Sequence, residues 1–126
     1  MNSINSLGGG GPGEGEGPLR GVEERARDVL EKLNVAIGES HAILATGPLF
    51  VLQTKGRDDA LFHVGWVREK INMHCHEASE IIGRAQQAGT PTGAVRDLPK
   101  LRQSGLDQAE FLLSYEFAVR TLGGFW

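Results

Sequence analysis

The chain has 126 residues, of which 40% are hydrophobic and 23% charged. These values are typical of one soluble globular domain, and they exclude a wholly disordered chain. With Glu14 and Glu16 of the N-terminal segment set aside, 14 of the 16 acidic side chains remain against 13 basic ones. This near-balance excludes a broad basic surface for nucleic acid or anionic lipid.

The cysteine content and the hydropathy pattern indicate a compartment. Cys75 is the single cysteine and cannot form an intramolecular disulfide, so a reducing interior suffices. The start of the chain, MNSINSLGGGG, lacks the basic and apolar regions of a secretory signal. No apolar run approaches the roughly 20 residues that span a bilayer. We therefore expect a cytoplasmic protein without a membrane span, and secretion by a signal-independent route stays open.

Residues 1–18 contain the tract GGGGPGEGEGP, which has almost nothing to bury. Fixing so many glycines would cost much backbone entropy. The tract also lacks a preceding strand and the Lys-Ser or Lys-Thr pair of a phosphate loop. We predict a flexible Gly-rich arm at 1–18 and a single helical domain at 19–126.

Two stretches show apolar and small residues at alternating spacings of four and three, which is the pattern of one helical face. The first comprises Val22, Ala26, Val29, Leu33, Ala36, Ser40 and Leu44, and the second comprises Ala60, Val64, Val67, Ile71, His74, Ala78, Ile81 and Ala85. Gly47-Pro48 ends the first helix, with Gly47 in a left-handed cap, and Asp58 or Asp59 caps the second. Such helices predict an antiparallel hairpin packed seam to seam.

The segments outside the hairpin are harder to assign. Leu49 to Leu52 suit a brief strand, an extended loop or a helical turn, which either plugs the open end of the hairpin or forms a docking surface. Pro99 limits AVRDLPKLRQSG to a short helical segment, and Ser104 with Asp107 resembles the cap of a last helix. That helix is apolar around most of its circumference and ends at Gly123-Gly124. The expected fold is all-α, with this helix packed on the hairpin.

The motif INMHCHEASE at 71–80 raises the question of a metal site. His74 and His76 diverge by about 200° on a helix, and His63 lies roughly 16 Å from His74 along it. We therefore expect His74 in the seam, Cys75 buried and His76 on the surface. The alternative is a small metal- or ligand-binding protein that uses His41, His63 and His74.

No nucleophile elbow, phosphate loop or dinucleotide fingerprint occurs, so a non-enzymatic role without a cofactor is favoured. A hairpin of this size looks loosely like small secreted proteins of the WXG type, but Gly65-Trp66 reverses their motif and lies inside the second helix. We predict an interaction or assembly subunit that binds itself or another helical protein. The expected interaction residues are Leu49, Phe50, Val51, Leu52, Phe111, Tyr115, Phe125 and Trp126.

Overall fold

The computed structural model of this chain describes residues 17–89 and 93–124, which contain four α-helices and no strand. The helices are α1 (Gly17–Leu44), α2 (Pro48–Thr54), α3 (Arg57–Ala88) and α4 (Gly93–Gly123). The three long helices all pack against one another, and the short α2 packs on α3 and α4. The all-α prediction is therefore confirmed.

The predicted arm, residues 1–18, lies mostly outside the described residues. Its last two members, Gly17 and Pro18, already belong to α1. Proline suits the first turn of a helix because its missing N–H has no partner there. The helix α1 thus begins two residues before the boundary at residue 19 that the sequence pattern indicates.

Both predicted seams form the core. Every seam position of α3 is buried, and those of α1 are buried except Leu44, which is partly buried. Ile43 near the end of α1 shares a cluster with Ala60 near the start of α3, whereas Val22 shares a cluster with Ala85. The two helices are therefore antiparallel, as predicted. The helix α4 packs on both of them and covers the side of the seams that their mutual contact leaves open.

The core has two parts with different side chains. In the part next to α2, which we call the α2 half, the buried residues are Leu33, Ala36, Ile37, Ile43, Leu52, Ala60, Val64, Val67, Ile71, Cys75, Ala109, Leu112, Tyr115 and Val119. In the distal half they are Val22, Ala26, Val29, Ala78, Ile81, Ala85, Ala94, Val95 and Leu98. The distal half is built mostly from alanine and valine, so its helix surfaces meet through short side chains.

The predicted break at Pro99 is wrong, because α4 runs through it without interruption. Proline inside a helix costs about 3 kcal/mol. Leu98 and Leu112 lie fully buried on the inner face of the same helix, and each contributes about 2 kcal/mol by leaving water. Tertiary burial therefore offsets the local cost, and the predicted cap at Ser104 is a position inside the helix.

The start of α4 is stabilised from another helix. The Glu23 carboxylate of α1 accepts a hydrogen bond of 2.7 Å from the backbone N–H of Ala94. Arg27, one turn along α1, lies 3.8 Å from the same carboxylate. An N–H of the first helical turn has no partner within its own helix, so Glu23 supplies a cap from a distant part of the chain.

The turns around α2 correct two further predictions. Gly47 is extended, with φ −64° and ψ 147°, because the residue before a proline avoids the helical region. The left-handed glycine is Gly56, with φ 89°, and it precedes α3. Asp58 and Asp59 therefore do not cap α3; they lie in its first turn, where a negative charge is favourable to the helix dipole.

Candidate interaction surface

Nine large apolar side chains among the described residues have at least half of their surface exposed. They are Val35, Leu49, Phe50, Phe62, Trp66, Met73, Phe111, Leu113 and Phe117. All nine lie at sequence positions that flank the core of the α2 half. None of the described residues in 21–34, 74–89 or 93–110 belongs to this set. We call these nine side chains the apolar surface.

On α3 the apolar surface forms a stripe. Phe62, Trp66 and Met73 are spaced by four and seven residues, so they point in nearly the same direction from the helix. Phe62 is 77% exposed. The stripe lies opposite the buried seam, and α3 is therefore apolar on two faces along this half of its length.

Trp66 is flanked by a polar bridge between α3 and α1. Lys70 Nζ lies 5.7 Å from the centre of the Trp66 ring and 2.7 Å from Glu39 Oε1. A cation over an indole face is favourable, and the charge pair reinforces it. This arrangement restrains the ring beside the α1–α3 groove, where it is more than half exposed.

On α4 the exposed residues alternate with the core. Leu113 and Phe117 are four residues apart and share one flank of the helix, whereas Phe111 lies on a different one. Leu112, between Phe111 and Leu113 in the sequence, is fully buried. The helix is therefore apolar on several sides, as predicted, but only its inner side is covered by the other helices.

The residues predicted for interaction divide into three groups. Leu49, Phe50 and Phe111 are exposed, and Val51 is partly buried. Leu52 is buried and closes the end of the bundle, so the plug interpretation holds for this residue. The third group, Phe125 and Trp126, lies outside the described residues.

Tyr115, also predicted for interaction, is a core residue. It is buried, and its hydroxyl donates a 2.7 Å hydrogen bond to the carbonyl oxygen of Thr46 at the end of α1. Burial raises the pKa of Tyr115 above its ordinary value. The side chain therefore holds α4 against the α1–α2 turn and does not lie on the exposed surface of the bundle.

Six members of the apolar surface were absent from the sequence prediction of interaction residues: Val35, Phe62, Trp66, Met73, Leu113 and Phe117. Phe62 and Met73 do not belong to the buried seam of α3, and Val35 lies on the side of α1 that faces away from the core of the bundle. A second search for helical spacing outside the seam would have found Phe62 and Met73, because Trp66 completes their stripe. No comparable pattern accompanies Val35.

A buried ion pair lies beneath this surface. The Glu116 carboxylate of α4 is 2% exposed and accepts hydrogen bonds from the Arg68 guanidinium of α3. Arg120 lies 3.8 Å from the same carboxylate. The hydrogen bond to Glu116 raises the pKa of Arg68. This pair fixes α3 and α4 relative to each other. It therefore also fixes the relative positions of the exposed apolar side chains that the two helices carry.

The histidines do not converge. His41 is exposed on α1, and His63 lines a pocket beside α2. His74 is buried in the seam, as predicted, and its Nδ1 lies 2.8 Å from Glu77 Oε1. Within residues 17–89 and 93–124, no three His, Cys, Asp or Glu side chains are grouped to hold a metal ion.

The environment of Cys75 is that of a core residue. Its thiol is buried and donates a weak hydrogen bond of 3.5 Å to the carbonyl oxygen of Arg102. Burial raises the pKa of this thiol, against a smaller opposing effect of the Arg102 charge. A thiol in this state is a poor nucleophile. His76, next to it, is exposed and lies 3.6 Å from Glu80, as predicted for a surface position.

No family model, curated protein or solved structure matches the chain. In the part of the chain that the structure describes, no single helix has the length and apolarity to cross a membrane. Only α1 and α2 taken together, with a bend of 90° between them, pass that test.

Proposed function

We propose that the protein is a non-enzymatic helical assembly subunit that self-associates through the apolar surface. The observation that carries this proposal is the location of the nine exposed side chains. They all belong to one half of the bundle, and five of them are aromatic: Phe50, Phe62, Trp66, Phe111 and Phe117.

The bundle does not need these side chains for its own core. The seams of α1 and α3 are buried beneath α4, and each exposed aromatic residue points away from them. Exposed apolar side chains that share one direction, as in the stripe of α3, mark interaction sites on soluble proteins, and aromatic side chains are the usual anchors of such sites. An interface formed on α3 would remove this stripe from water, as the core does for the seams.

A second copy of the chain is the partner that we favour. The formal net charge of −3 on 126 residues produces little long-range repulsion between copies at physiological salt. In a two-fold dimer the same patch faces itself. The stripe of Phe62, Trp66 and Met73 would then cover its own counterpart, with the Lys70–Glu39 pairs at the rim of the interface.

Light scattering after size-exclusion chromatography, over a wide concentration series, tests this proposal. We expect a monomer–dimer equilibrium in the wild type. The double variant Phe62→Ser/Trp66→Ser should weaken association by about a hundredfold or more, since two central aromatic anchors are lost. The matched control Gln86→Ser/Gln87→Ser, on exposed positions of α3 in the distal half, should leave it unchanged.

Circular dichroism would verify that both double variants keep the helical fold. A wild type that stays monomeric at every concentration contradicts self-association. An oligomer that the Phe62/Trp66 variant leaves intact contradicts the assignment of the surface.

A further inference from the structure

A pocket of about 280 Å³ lies at the α2 end of the bundle, where all four helices contribute to its wall. α1 supplies Ile43, α2 supplies Val51, α3 supplies Val64 and α4 supplies Tyr115. This volume is close to the lower limit of small-molecule sites. The pocket therefore suits a ligand with a short apolar body.

The deeper wall of the pocket is apolar. Ile43, Ala60, Val64 and Tyr115 are buried, and Val51 is partly buried. The Tyr115 hydroxyl is already donated to the carbonyl oxygen of Thr46, so the ring presents its apolar part without an unsatisfied polar group. Such a wall favours an aliphatic chain or an aromatic ring and offers little to a polar ligand body.

The rim of the pocket carries unpaired basic groups. Lys55 and His63 both line it and are exposed, and neither side chain forms a hydrogen bond or an ion pair with another described residue. Glu39 also lines the rim, but its carboxylate is paired with Lys70 at 2.7 Å. The charge left without a partner at the mouth is therefore the ammonium group of Lys55, with the His63 imidazole as a further hydrogen-bond donor.

We propose that this pocket binds small amphipathic carboxylates, with the apolar body against Ile43, Val51 and Val64 and the carboxylate at Lys55 and His63. Charge-assisted hydrogen bonds to a carboxylate are about twice as strong as neutral ones. A neutral apolar ligand would leave Lys55 without this partner, and a cationic ligand would meet like charge there. This inference does not depend on the proposed self-association.

Calorimetric titration with sodium octanoate, and with octanol as the uncharged comparison, tests the site. We expect saturable binding of one octanoate per chain, and octanol should bind about tenfold more weakly. Lys55→Met shortens the side chain by one atom and removes its charge, so it should weaken octanoate by about tenfold and change octanol by less than about twofold.

Two further variants separate the pocket from general surface binding. Ala42 is exposed and lines the pocket, so Ala42→Trp should block octanoate without disturbing the core. Lys100→Met, on α4 and outside this pocket, should bind octanoate like the wild type. In nuclear magnetic resonance spectra, the ring signals of His63 should shift during the titration, whereas those of His76 should not.

Several results would contradict the proposed carboxylate site. Octanol that binds as tightly as octanoate would overturn the carboxylate assignment. Octanoate binding that does not saturate, or that persists in Ala42→Trp, would place the ligand elsewhere on the protein. Circular dichroism and the light-scattering profile of each variant would show whether a loss of binding comes from a loss of fold.

Discussion

The α2 half and the distal half use the same three long helices but divide their apolar residues differently. In the distal half the large apolar side chain of α3 is Ile81, which is buried, with Ile82 partly buried beside it. In the α2 half the same helix buries Val64 and exposes Phe62 and Trp66. The exposed aromatic residues are therefore a local property of one half and not a requirement of the helical bundle.

The largest effect should come from the buried side of α4. Leu112 is fully buried and Phe117, five residues later, is 70% exposed. Leu112→Ala should lower the free energy of unfolding by about 3 kcal/mol through lost burial and a residual cavity. Phe117→Ala should change it by less than about 0.5 kcal/mol. Urea denaturation of dilute protein measures both, and a comparable loss in Phe117→Ala would show that the exposed ring supports the fold.

The buried ion pair should give an intermediate effect. Arg68→Leu leaves the Glu116 carboxylate buried with only Arg120 near it, which should cost about 2 kcal/mol of stability; partial exposure of Arg68 keeps the loss below that for a fully buried pair. The double variant Arg68→Leu/Glu116→Leu should recover most of that loss, because no buried charge remains and the Arg120 side chain is exposed to water. Thermal unfolding followed by circular dichroism provides the readout. A double variant less stable than Arg68→Leu alone would contradict this account.

The smallest effect concerns glycines in helix interiors. A Cβ at Gly105 would lie 2.8 Å from Cys75 Sγ and 3.2 Å from Leu33 Cδ1, whereas one at Gly83 in the distal half meets nothing within 4 Å. Gly105→Ala should therefore destabilise by about 1 kcal/mol after its gain in helix propensity, and Gly83→Ala should stabilise by about 0.5 kcal/mol. Differential scanning calorimetry resolves opposite signs. Adding Cys75→Ala should reduce the penalty at Gly105, and two shifts of the same sign would contradict the close contact.

The helices with regular spacing could be predicted from the sequence. The seams of α1 and α3 repeat over many turns, so the pattern averages out local exceptions such as His74 and Ser40. Ser40 is tolerated in the core because its hydroxyl donates a 2.7 Å hydrogen bond to Gln108 on α4. That partner is 68 residues away, and a helical repeat carries no information about it.

Features that depend on distant residues were missed or wrongly predicted. Pro99 is a strong local signal for a break, but the burial of Leu98 and Leu112 outweighs it. The candidate surface was predicted only in part, because residues such as Leu52 and Phe50 are indistinguishable until the direction of α2 is known.

The number of long helices determines where a probe or a surface anchor can be attached to the protein without covering the α2 half. Because three long helices alternate in direction, α1 begins at Gly17 in the distal half and α4 ends at Gly123 beside α2. The described part of the chain therefore enters and leaves the bundle at opposite poles. A probe or anchor joined ahead of α1 would leave the α2 half and its exposed aromatic residues accessible. One joined after α4 would lie next to these residues and compete with a partner for access to them.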